Sequence, residues 1–142
     1  MAAGVNAPLY TPQILRLAAS LSEPAPLSRI DGRGEWRSPT CGSIVATEVM
    51  VADGKIVALS QRVSACAFGQ AAAALVERSA IGRDRASVQS ALTQVEHWLA
   101  DRRDDPGEWP GLNALAPARA KSGRHGAILL PFRALLAALD AT

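Results

Sequence analysis

The stretch that decides the fold is Ile44–Val51 (IVATEVMV), Ala52-Asp53-Gly54-Lys55, then Ile56–Val63 (IVALSQRV), two runs rich in β-branched residues that meet at an Asp-Gly dipeptide. Asp-Gly accepts the positive φ angles of a tight hairpin turn, so two antiparallel strands joined by a two-residue loop are predicted. Ala52 then pairs with Lys55. That register puts Ile44, Ala46 and Met50 on one face with Val57, Leu59 and Val63, interrupted by Glu48 and Gln61. The other face carries Val45, Val49, Val51, Ile56 and Ala58, interrupted by Thr47, Ser60 and Arg62. Both faces are largely apolar, so the pattern leaves open which one meets the core.

Working outward, Thr11-Pro12 reads as an N-cap followed by proline at the first helical position, with Ile14, Leu15, Leu17 and Ala18 as a buried stripe and an end near Ser20. Pro24, Pro26, Gly32 and Gly34 make a loop that leads into an extended edge piece around Glu35-Trp36-Arg37. After the hairpin, Ala67 to Ser79 is apolar nearly all round and predicts a central buried helix, closed by Ile81-Gly82. Asp84 caps a further helix with the stripe Val88, Ala91, Leu92, Val95, Trp98 and Leu99. Arg102 to Gly111 is a polar breaker segment. A last helix carries Ile128, Leu129, Phe132, Leu135, Leu136 and Leu139, and Pro131 requires it to start near Leu130 or to kink. Trp36, Trp98 and Trp109 are expected to be packing anchors. The class is α+β: a small three-stranded antiparallel sheet covered on one face by helices.

The composition narrows the function. At 142 residues, 49% hydrophobic and 20% charged, the chain is expected to be one domain, 1–142, with 1–8 a flexible N-terminus. A net charge of +2 with scattered basic residues indicates neither a nucleic-acid footprint nor an acidic-membrane patch. No apolar stretch reaches the ~18 residues of a membrane helix, and no signal-like n- and h-regions open the chain. A cytoplasmic location is expected. Two cysteines are too few for the disulfide framework of a small secreted domain, which favours a role as thiols.

Cys41 and Cys66 lie beyond the strands on the same ladder, and the hairpin register carried to its open end would oppose them, with Cβ atoms roughly 4.5–5.5 Å apart. A bulge would shift that opposition and keep the proximity. Cys66 immediately precedes the buried helix, where unpaired N–H groups and the positive dipole end favour a thiolate. Gly42 lets the backbone bend beside the first sulfur, and Thr40 and Ser43 can donate hydrogen bonds to it. His125, at the entrance of the last helix, is a third candidate, with Lys121 and Arg124 near it to offset thiolate charge. Burial statistics leave inert core thiols as an equal alternative. His97, inside an amphipathic helix beside Trp98, reads as a helix-face residue.

The element order and motif residues resemble the U-type iron-sulfur cluster assembly scaffold family, which contains NifU amino-terminal domains, IscU and SufU. Leu9-Tyr10 with the following helix resembles the family's opening, Pro39-Thr40-Cys41-Gly42 its first cysteine motif, and Ser64-Ala65-Cys66-Ala67-Phe68-Gly69-Gln70-Ala71 its second. Pro117-Ala118-Arg119-Ala120-Lys121, followed by His125, resembles the segment that delivers the third cysteine. The resemblance implies a non-enzymatic scaffold or carrier that holds an iron-sulfur cluster, [2Fe-2S] or similar, through Cys41, Cys66 and His125. It implies a cysteine desulfurase and other iron-sulfur assembly proteins as partners. Ser43 stands where the family usually has Asp. Either Ser122 or Gly126 occupies the place of the third cysteine, depending on whether the P-A-R-x-K or the histidine motif is matched. A [2Fe-2S] cluster normally takes four protein ligands. Two sulfurs and one nitrogen with an open position also suit zinc, or a cluster completed by Ser43, a small thiol or a partner. A zinc-binding sulfur acceptor for a desulfurase, and a paralogue that binds assembly partners without metal, are the alternatives.

Overall fold

The computed structural model describes residues 10–39 and 42–142. Helix α1 (Pro12–Ala19) is followed by strand β1 (Gly32–Arg37), the hairpin β2 (Ile44–Ala52) and β3 (Lys55–Ser64), and helices α2 (Ala67–Ser79) and α3 (Arg85–Leu99). A 3-10 helix (Leu112–Ala120), a short 3-10 turn (Ser122–Arg124) and helix α4 (His125–Asp140) complete the chain. The sheet is antiparallel in the order β1-β2-β3. No helix among the described residues is long and apolar enough to cross a membrane.

The hairpin turn forms as its dipeptide requires, with positive φ at both Asp53 (52°) and Gly54 (75°). Ala52 pairs with Lys55 and Val51 with Ile56, but Met50 pairs with Ala58, so Val57 is an extra residue in β3. This bulge reverses every β3 side chain beyond it, because side chains alternate with period two. The expected face assignments therefore fail for most of the ladder. Val45, Thr47 and Val49 form the inward face together with Val63, Gln61 and Leu59, and Val57 and Ala58 both point outward. The polar pair Thr47 and Gln61 lies directly opposed and buried. Gln61 donates from Nε2 to the Ala73 carbonyl at 2.9 Å, tying the alanine-rich middle of α2 to the sheet.

The caps follow the sequence. The Thr11 hydroxyl accepts from the Ile14 N–H at 3.1 Å and the Asp84 carboxylate from the Ser87 N–H at 2.8 Å. In α1 only Ile14 and Leu17 are fully buried, and Leu15 is 49% exposed, because an eight-residue helix turns only a narrow stripe inward. Trp98 and Trp109 are core anchors, Trp109 donating from Nε1 to the Leu75 carbonyl at 2.9 Å. Trp36 is not: it lies on an edge strand next to its end and is 46% exposed. The 3-10 helix has no counterpart in the sequence reading, although Leu112, Leu115 and Ala118, its buried residues, recur with that helix's period of three.

Helix α4 begins at His125, six residues before Pro131, and runs through the proline. It lies against β1 and β2. Its approach is so close that a Cβ on Gly32 would fall 2.1 Å from the Ala138 carbonyl oxygen, and one on Gly34 would fall 2.3 Å from the Ala138 nitrogen and 2.6 Å from the Ala134 oxygen. These are backbone atoms and cannot step aside as a flexible side chain can. Gly34→Ala should therefore destabilise the domain by about 3 kcal/mol, the upper end of overpacking costs. Gly123→Ala, where a Cβ meets nothing within 4 Å, should be near neutral. Urea unfolding of both variants checks the difference, and equal midpoints would contradict this seating of α4.

Candidate functional site

The ligand candidates that the structure describes all sit at element ends. Ser43 directly precedes β2, and the ladder's last pair is Ile44 with Ser64, two residues before Cys66. Ser43 and the start of α2 therefore lie at the same end of the sheet. Ser43 is 5% exposed, its carbonyl accepting from the Ser38 N–H at 2.8 Å, while the Gly42 N–H donates to the Ser38 carbonyl at 3.1 Å. These bonds close the β1–β2 connection on itself, and Gly42 takes a positive φ of 74° there. Cys41 and Thr40 lie outside the described residues, so the expected juxtaposition of Cys41 and Cys66 does too. The bulge at Val57 slips the ladder by one, so the register no longer points to strict opposition of the two cysteines.

Cys66 is a free thiol at the N-cap of α2, half-buried and packed against the main core. Its side chain makes no capping bond. His125 is the first residue of α4. The two helix starts meet: a Cβ on Gly69, in the first turn of α2, would lie 3.3 Å from the Ala127 carbonyl oxygen and 3.5 Å from the Ala127 Cβ. Proline lacks the N–H that would bond the carbonyl four residues earlier, so Pro131 leaves the Ala127 carbonyl without its usual helical donor. That carbonyl faces Gly69, the residue that leaves it room.

A second link crosses the same region. The Tyr10 ring packs on Phe68, two residues after Cys66, at 5.2 Å between centroids, and the Arg124 guanidinium lies 5.9 Å from the centre of the Tyr10 ring. The imidazole of His125 is held by the segment before it, Nε2 lying 3.0 Å from both the Ala118 and the Arg119 carbonyl oxygens. Arg119, part of the P-A-R-x-K motif, is engaged with the end of α3 rather than with the site, donating to the Trp98 and Arg103 carbonyls and pairing with Asp101. Lys121 is exposed, and His97 lies exposed on α3. Among the described residues no three His, Cys, Asp or Glu side chains form a ready metal-binding group.

Of the two positions for the absent cysteine, Ser122 is exposed in the 3-10 turn, and Gly126 is half-buried in the first turn of α4 beside His125.

A scan of protein-family models finds no match, and a search of curated proteins by sequence finds none either. Solved structures do match. A NifU-like protein (N-terminal) from Brucella abortus, described as nitrogen-fixing, superposes with a TM-score of 0.83 at 25% identity, covering 94% of this chain and 93% of that one. The chain has the U-type scaffold fold. A second U-type structure, named as a candidate iron-sulfur cluster assembly scaffold protein for the SUF system from Fervidobacterium islandicum, gives a TM-score of 0.76 at 20% identity over 92% of this chain and 96% of that one. The α+β architecture with one helix-covered face of an antiparallel sheet is thus the U-type one. Sequence reading missed the links that join the two helix starts, Tyr10 to Phe68 and Gly69 to Ala127. The glycine three residues after Cys66 and the proline four after Ala127 were the available signals.

The Tyr10–Phe68 contact should be measurable as a coupling. In a double-mutant cycle with Tyr10→Leu and Phe68→Leu, the coupling energy should be about 1 kcal/mol, typical of packed aromatic pairs. Strictly additive losses would mean that Tyr10 does not tie the chain's opening to α2.

Proposed function

We propose that this chain is a scaffold or carrier of iron-sulfur cluster assembly, holding a nascent cluster or its metal through Cys41, Cys66 and His125. The observation that carries the reading is that Cys66 and His125 occupy the starts of two helices that touch at Gly69 and Ala127, on a U-type fold. Thiolate and imidazole are the donors that iron-sulfur and zinc sites use. Both residues sit where a helix begins, a place whose unpaired N–H groups favour negative charge. In this reading the protein is not an enzyme. It acts in the cytoplasm, takes sulfur from a cysteine desulfurase and passes its cargo to other assembly proteins.

The donor set itself favours a second reading. Two sulfurs and one nitrogen with an open fourth position match a zinc site of the catalytic kind better than the four ligands of a [2Fe-2S] cluster. The protein would then be a zinc-tuned sulfur acceptor for the desulfurase. The 5%-exposed Ser43 stands in the usual aspartate's place, so its hydroxyl is the fourth-ligand candidate within the chain.

Anaerobic reconstitution with ferrous iron and sulfide should give a coloured, labile cluster that Cys41→Ser and Cys66→Ala each abolish. One tightly held zinc per chain and no colour would replace the scaffold reading with the acceptor reading. Binding of neither would leave only a partner-binding role.

The open position makes a further test. Gly126→Cys adds a thiol in the first turn of α4 beside His125, and should lengthen retention of cluster or zinc against a competing chelator. Ser122→Cys, exposed one turn earlier, should not. Improvement in Ser122→Cys alone would show that the P-A-R-x-K alignment is the correct one.

A further inference from the structure

We infer that the main-chain carbonyls of Ala118 and Arg119 select the tautomer of His125, so that Nδ1 is the nitrogen it presents to a metal, and that the Arg119 guanidinium is the positioning group that fixes those carbonyls. The metal half of this inference rests on the proposed function; the tautomer half stands on the protein alone.

His125 Nε2 is 3.0 Å from each of the two carbonyl oxygens. A carbonyl oxygen can only accept a hydrogen bond, so Nε2 carries the hydrogen and shares it between the two acceptors. Neutral imidazole has one such hydrogen. The lone pair therefore resides on Nδ1, and only a nitrogen with a lone pair can bind a metal. Donation of the other ring nitrogen to a carbonyl is a common way in which metal-bound histidines are oriented, and loss of such a partner typically lowers metal affinity by roughly 10- to 100-fold.

The acceptors are themselves held. The Lys121 N–H also donates to the Ala118 carbonyl, at 2.9 Å, and the Ala118 side chain is buried. Arg119 donates from Nε to the Trp98 carbonyl at 3.0 Å, and from one terminal nitrogen to Asp101 Oδ1 at 2.9 Å and the Arg103 carbonyl at 3.1 Å. Its guanidinium also lies 5.3 Å from the centroid of the Trp98 ring. This planar fork, with its donors in fixed directions, locks the end of the 3-10 helix onto the end of α3. The arginine thus acts at a distance from the imidazole, through the carbonyl that it and Ala118 present. The P-A-R-A-K segment then needs no ligand of its own to serve the site.

The test uses full-length protein labelled with nitrogen-15 on histidine, with His97→Gln to assign the two rings. In metal-free protein the His125 spectrum should show a hydrogen on Nε2 that exchanges slowly with water. Exposed His97, which has no such pair of acceptors among the described contacts, should show a fast-exchanging mixture. On addition of zinc the Nδ1 resonance should shift and Nε2 should keep its hydrogen. A hydrogen on Nδ1, exchange as fast as at His97, or zinc bound at Nε2 would each overturn the inference. Arg119→Gln should speed Nε2–H exchange and weaken zinc binding by roughly 10- to 100-fold, and a folded variant unchanged in both would refute the positioning role. Should Arg119→Gln fail to fold, Asp101→Asn, at a largely exposed carboxylate, should move both readouts the same way by less, and no movement refutes the role. A slowly exchanging Nε2–H in a protein that takes up no zinc would uphold the tautomer selection and remove the metal reading.

Discussion

The arrangement depends on how closely α4 lies against its neighbours. Three glycines, Gly32 and Gly34 in β1 and Gly69 in α2, meet the alanine-rich side of α4 at Ala138, Ala134 and Ala127, at distances where no Cβ fits at β1 and one would be tight at α2. Close-packed interiors transmit such contacts as fixed distances, because backbone atoms have no rotamers to change. With α4 held at both its ends, the rest of its surface can be apolar nearly all round. Residues 127–132 are all buried, which a solvent-facing helix would not tolerate.

Pro131 has a particular part in this seating. Inside a helix it removes a hydrogen bond and ordinarily costs about 3 kcal/mol, a cost that must be offset by tertiary contacts. Here the carbonyl it releases belongs to Ala127, at the point where α4 meets Gly69. The exception to helical bonding is thereby placed at the junction between the two helix starts. Val45, Leu130 and Ala134, with Val63, form a small separate cluster on the same side, joining the open end of the hairpin to α4. The sheet end, the start of α2 and the start of α4 are thus fixed to one another by apolar packing rather than by ion pairs. The surface pairs present, such as Arg33 with Glu48 and Arg85 with Asp140, are exposed and contribute little.

Most of the fold was legible because it is written in local chemistry. Asp53-Gly54, Thr11-Pro12 and Asp84 fixed a turn and two helix starts that neighbouring residues alone determine. The larger failures are non-local. The extra residue Val57 reverses the faces of β3, and nothing within IVALSQRV distinguishes a bulged strand from a regular one. Trp36 is apolar and large, but its position at the end of an edge strand leaves it half in water. α4 continues through Pro131, with its start seated against Gly69, more than sixty positions before that proline in the chain. Of the site, the spacing of Cys66 before a buried helix and of His125 before the last one could be read directly. The carbonyl cradle of the imidazole could not, since it depends on a 3-10 helix whose end is fastened to α3 by one arginine. Cys41, the first candidate read from the sequence, lies outside the described residues.

The ligand candidates and the core are nearly disjoint sets of residues. Ser43 precedes a strand, Cys66 occupies the N-cap position of a helix and His125 begins another. The buried mass of the domain, from Ile14 and Val49 through Phe68, Trp98, Trp109 and Phe132, is supplied by other positions. Exchanging a donor at an element end therefore leaves the large core side chains in place, whereas a Cβ added at Gly32 or Gly34 under α4 meets backbone. This separation accounts for a chain that keeps the U-type architecture at a TM-score of 0.83 while carrying serine where the resemblance expects aspartate and no third cysteine. Ser43, Cys66 and His125 can thus vary without changing the glycine contacts that seat α4. The fold is accordingly a statement about those glycines and alanines, and the chemistry is a statement about the donors, to be established atom by atom.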